Sequence, residues 1–168
     1  RGPTPGALVS RLQPAHVTAS VCTMFFDFST FDSKGKRRYL VEAKLRRGPR
    51  INAEWAAATR GNWMSQGELP VADGLLLVLP ERLFFWPSSA VGGAPPKQDI
   101  NAGPLLAPYF ARLGVTPDQV GAAAFEGLVR WWLEDLTQQR PLAWTDELKR
   151  SGLVEALAGQ EVLSENAA

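Results

Sequence analysis

The stretch Met24–Arg47, MFFDFSTFDSKGKRRYLVEAKLRR, constrains the fold more than any other part of the chain. An apolar run from Met24 to Phe31 and a second from Tyr39 to Leu45 flank the polar segment Asp32-Ser33-Lys34-Gly35-Lys36. Gly35 tolerates the positive φ that a short connecting loop needs, so the pattern predicts a β-hairpin. On the second strand, the two-residue period sets Tyr39, Val41, Ala43 and Leu45 on one face. Leu40, Glu42 and Lys44 fall on the other. A carboxylate and an ammonium thus stand side by side on a strand otherwise suited to burial, where charged residues are unusual unless paired or bound to something. Asp27 lies on the partner strand, in reach of the sheet end that carries Glu42.

With 168 residues the chain suits one domain with a real core, and 45% hydrophobic against 21% charged residues is ordinary for a soluble globular protein. A net charge of +1 does not announce a nucleic-acid binder. The distribution says more: Lys34, Lys36, Arg37, Arg38, Lys44, Arg46, Arg47 and Arg50 crowd around the hairpin, and most acids lie in the C-terminal half. One cysteine, Cys22, excludes an internal disulfide framework and a cysteine zinc site, and one histidine, His16, excludes a histidine zinc site. This usage fits a reducing compartment, and a cytoplasmic location is expected. No stretch is long and apolar enough to cross a membrane, and no signal peptide is visible. The chain opens on Arg1 rather than methionine, which suits an excised domain or a processed fragment with neighbouring domains.

Along the chain, His16–Cys22 is β-prone and precedes the hairpin. Asn52 is a good N-cap for a helix to about Met64. Leu75–Leu79 is a continuous apolar run, the mark of a strand covered on both faces, and Leu83–Trp86 returns as a short strand. Residues 88–104, with Gly92-Gly93 and Pro95-Pro96, read as a linker between a core over 1–87 and a helical extension over 105–168, packed on the same domain. In that extension a helix is expected from Pro104 to Leu113, closed by Gly114. A second is expected from Thr116-Pro117 to about Gln138, and short helices over Leu142–Leu157 broken near Gly152. Gln160–Ser164 reads as a last strand or a tail.

A strand bearing Asp27, a hairpin, and a second strand bearing Glu42-Ala43-Lys44 together resemble the PD-(D/E)xK nuclease superfamily, the restriction-endonuclease-like fold. Fifteen positions separate the two acids, a spacing that suits two strands joined by a short turn. The following helix and the apolar strand in LLLVLPERLFFW continue the likeness, which covers about residues 16–87. Phe26 stands where the family's first acid often follows proline, and the first helix carries no convincing further acid. The resemblance implies an α/β fold, with a small mixed sheet flanked by helices and a helical C-terminal extension. It further implies a hydrolase that cuts phosphodiester bonds in nucleic acid, most often DNA. Asp27 and Glu42 would hold Mg²⁺ or Mn²⁺ through oxygen ligands, and Lys44 would orient water or stabilise the developing phosphoryl charge.

The tripeptide alone is weak: Glu147-Leu148-Lys149 repeats it in a predicted helix, where positions two apart do not share a face. Strand context and Asp27 distinguish the Glu42 copy. Arg46, Arg47 and Arg50 leave that strand beside the presumed site and are candidates to hold phosphates. Arg60 on the next helix and Lys36 and Arg37 at the hairpin are further ones. Two other readings stay open. Glu42 and Lys44 could form an exposed salt bridge on an edge strand, with Asp27 a solvated acid. Alternatively, the chain is a catalytically inactive nuclease-fold module that binds protein or nucleic acid within a larger assembly. Expected partners are nucleic acid and a regulatory protein or neighbouring domain, with room for a homodimer and no membrane.

Overall fold

The computed structural model describes residues 26–165; His16, Cys22 and the strand expected over His16–Cys22 lie outside the described residues. The protein is a mixed α/β structure of three layers. Its elements in chain order are β1 (Phe28–Phe31), β2 (Arg37–Ala43), α1 (Ala53–Gln66), β3 (Gly74–Val78), β4 (Arg82–Pro87), β5 (Gln98–Asn101), α2 (Gly103–Leu113), α3 (Ala122–Thr137), α4 (Asp146–Ser151), α5 (Leu153–Leu157) and β6 (Glu161–Ser164). The six strands form one sheet in the order β5-β4-β3-β2-β1-β6. The pair β2–β3 is parallel and the other pairs are antiparallel.

The hairpin forms as its sequence predicts. Gly35 has φ +75°, and the Asp32 carboxylate accepts hydrogen bonds from the backbone of Lys34 and Lys36. The face division of β2 is also as expected. Tyr39 and Val41 join a core with α2, α3, α4 and α5, while Leu40 joins a second core under α1. β3 is apolar throughout because it is covered twice: Leu76 and Val78 face the first core, Leu75 and Leu77 the second. α1 starts where Asn52 caps it, the side chain accepting from Trp55 N at 2.9 Å. Its small Ala56 and Ala57 let it lie close on the sheet.

Two expectations change, and an open one is decided. Residues 98–101, placed in a linker, form edge strand β5, held by Ile100 alone in the core. The 16-residue helix α3 begins at Ala122 rather than Thr116. Thr116 closes only a single turn, accepting from Gln119 and Val120, and Gly121 lets the chain leave it before the helix starts. The last segment is a strand rather than a tail: it pairs with β1 as β6, so strands from both ends of the described chain complete one sheet with a core on each face.

Gly74 sits where β3 passes the β4 side chains. A Cβ there would lie 2.5 Å from Phe85 Cε2 and 2.8 Å from the Trp86 carbonyl oxygen. The ring can turn aside but the carbonyl is fixed by strand pairing. Gly74→Ala is expected to cost about 2 kcal/mol by overpacking, read as a lower urea midpoint. An unchanged midpoint would mean that β3 and β4 separate freely here.

Candidate active site

The β1–β2 register pairs Phe28 with Val41, and Asp27, at the bend just before β1, lies beside Glu42 past the end of that pairing. The backbone fastens the two acids together. Asp27 N donates to Glu42 Oε2 at 3.3 Å, and Ala43 N donates to Asp27 Oδ2 at 2.8 Å. From the other side, the Asp27 carbonyl accepts from Glu165 N at 3.0 Å. Lys44, one residue past β2, keeps strand pairing through its N–H to the Val78 carbonyl. Its Nζ lies 3.8 Å from Glu42 Oε1 and 5.5 Å from the centre of the Trp63 ring. Trp63 in turn packs edge-on against Phe26 at 5.7 Å. The residue before the first acid and the ring behind the lysine are thus one aromatic contact, which ties the site to the core under α1.

The Glu42 side chain is only 19% exposed, so the pair is not a solvated surface bridge. Burial pushes the Glu42 carboxyl up to about 7, and the Asp27 charge adds to the rise while Lys44 opposes it. Burial also raises Asp27, against the Ala43 hydrogen bond, the Lys44 charge and a hydrogen bond from the Glu42 side chain. Glu42 is therefore the group that shares its proton near neutral pH.

Sequence reasoning missed Glu126. From the first turns of α3 its charge raises Glu42, and it is itself raised by burial and then by Asp27. Nothing local reveals it. It flanks the buried stripe Phe125, Leu128 and Val129 of an amphipathic helix, where a charged residue is ordinary.

Among the described residues no three His, Cys, Asp or Glu side chains gather as a metal-binding group. Asp27 and Glu42 are a two-carboxylate site, and its chemistry fits a hard divalent cation. Both offer carboxylate oxygens, burial raises both carboxyls, and Mg²⁺ usually takes one or two carboxylates with water and substrate phosphate completing its shell.

The candidate phosphate contacts separate by their partners. Arg46 and Arg50 are exposed and carry no ion pair among the described residues. Arg47 instead bridges Glu81 at 2.8 Å and Asp118, fastening its loop to the β3–β4 turn. Lys36, six residues before Glu42 and about 20 Å away at roughly 3.3 Å per residue, pairs with Asp73. Arg37 reaches back along β1, where its guanidinium is held by Ser29 Oγ at 3.1 Å and Glu165 at 2.8 Å. Arg60, expected as a backbone contact, is 3% exposed. Its Nη atoms donate to the Val91 and Ala90 carbonyls at 2.9 and 2.8 Å, and it lies over Trp86. It holds the loop before β5 against α1 and offers no surface to a phosphate.

No helix among the described residues is long and apolar enough to cross a membrane. Comparison of the chain with protein-family models, with curated proteins and with solved structures finds no match.

Proposed function

We propose that the chain is a metal-dependent nuclease domain of the PD-(D/E)xK type, with the restriction-endonuclease-like arrangement of hairpin, helix and parallel strand in β1, β2, α1 and β3. The reading rests on one observation: Asp27 and Glu42 stand opposite each other at a sheet end, fastened by two backbone hydrogen bonds, with Lys44 on the same face. DNA is the first substrate to test.

In this reading Asp27 and Glu42 hold Mg²⁺ or Mn²⁺, which supplies a bound water of lowered pKa and positive charge at the phosphoryl oxygens. The protein does the rest. Ala43 N–H holds the Asp27 carboxylate in place beside Glu42. Trp63 holds the Lys44 ammonium beside Glu42, where it donates to the attacking water or to a non-bridging phosphoryl oxygen. Water adds to phosphorus, the bond to the leaving sugar oxygen breaks, and a phosphate monoester and a hydroxyl result.

The test is cleavage of plasmid and single-stranded DNA with Mg²⁺, with Mn²⁺ and with EDTA. Metal-dependent cutting is expected, and Lys44→Ala should lower it about 10²- to 10³-fold. Undiminished cutting by the variant would remove Lys44 from the chemistry. Absence of cutting under every condition would favour a nuclease-fold module that binds without cleaving.

A further inference from the structure

A cavity of about 510 Å³ opens at the loop that follows Lys44, lined by Arg46, Ile51, Leu79, Glu81, Arg82 and Asn101. Parallel strands β2 and β3 end there together, β4 begins there and β5 ends there, so the cavity and the acid pair share one end of the sheet. They also share a face: Leu79 belongs to the core under α1, and Arg82 lies over Phe84 of that core at 5.8 Å. The volume is that of a small-molecule site, enough for one nucleotide.

Its charges are arranged for an anion. Glu81, the acid on the wall, is neutralised by Arg47, which also pins the 46–50 loop in place. Arg82 is 37% exposed and is paired with Asp99. Arg46 has no such partner among the described residues and contributes the uncompensated charge. We propose that this cavity is the subsite for the nucleotide next to the scissile bond, with Arg46 and Arg82 holding its phosphate and directing an unpaired strand across the sheet end to Lys44. The inference rests on the nuclease reading and adds Arg82, which sequence alone did not suggest. It also removes Arg47 and Lys36 from substrate binding.

The experiment has two readouts on the full chain. Binding of a 5′-fluorescein-labelled oligothymidylate is followed by anisotropy in EDTA at several salt concentrations, and cleavage of the same strand with Mg²⁺ gives kcat and KM. Arg46→Gln should weaken binding about tenfold, lower the salt slope by about one, and raise KM with kcat retained. Because Arg82→Gln alone would strand Asp99, the double variant R82Q/D99N replaces both partners together and should also raise KM. Lys36→Gln, at the other end of β2, should change nothing. Unchanged binding and KM in Arg46→Gln and the double variant would overturn the subsite, even if Lys44-dependent cleavage is found. Weakened binding in these variants without any cleavage would retain the subsite and sink the catalytic reading instead. Equal or tighter binding of a blunt duplex would overturn the assignment to an unpaired strand.

Discussion

Glu42→Gln is expected to abolish cleavage and, above pH 7, to make the protein more stable. The Glu42 carboxyl titrates at about 7 in the folded protein against an ordinary 4.5. Below pH 4.5 the folded and unfolded chains are both protonated and the residue has no differential effect. Between 4.5 and 7 the unfolded chain gives up the proton that the folded one keeps, so stability falls as pH rises. Above 7 the whole penalty is present, about 3 kcal/mol. Glutamine carries no charge, still accepts from Asp27 N and still donates toward the Asp27 carboxylate, so it escapes the penalty. Thermal unfolding of both proteins from pH 4 to 9 should show curves that coincide in acid and part by several degrees in base. Saturating Mg²⁺ should raise the melting temperature of the native protein and leave the variant nearly unmoved. A variant no more stable at pH 8 than at pH 4, relative to the native protein, would mean that Glu42 is solvated. A variant that still cuts would mean that Glu42 holds no cation.

Phe26→Ala should damage stability and activity together. The ring is 2% exposed and packs edge-on against Trp63. Removing a buried phenyl ring costs about 3–5 kcal/mol. The peptide that follows it carries the Asp27 N–H to Glu42, and Trp63 is the ring that steadies Lys44, so the same cavity loosens both sides of the site. Phe26→Leu refills most of the volume and should recover most of the stability, but not the edge-on aromatic contact. The informative readout is cleavage by the leucine variant at a temperature where it is fully folded. Reduced kcat there assigns Phe26 a positioning role; native kcat makes it packing only.

The hairpin, the two faces of β2 and the pairing of Asp27 with Glu42 were legible because each follows from a local period or a short loop. The doubly covered strand β3 was legible because burial on both faces leaves a continuous apolar run. β5 was not: Gln98, Asp99 and Asn101 read as loop, and the one core residue, Ile100, is too little for a pattern. The basic residues show the same limit. Arg46, Arg47 and Arg60 look equivalent along the chain, yet their partners are Glu81 and Asp118 for Arg47 and two loop carbonyls for Arg60. Such partners are set by tertiary folding alone. Trp144, in an apolar stretch of sequence, lies at the surface beside Lys149.

The pairing of β6 with β1 bears on when the site comes into being during synthesis. Glu165 supplies the N–H that holds the Asp27 carbonyl, and its carboxylate takes Arg37 and Ser29. A nascent chain that has emerged only as far as α5 has made both acids and Lys44 but lacks the strand that frames the first of them. Contacts spanning this much sequence also form late in folding. On the nuclease reading, the acid pair is then framed on both sides only after β6 has joined the sheet.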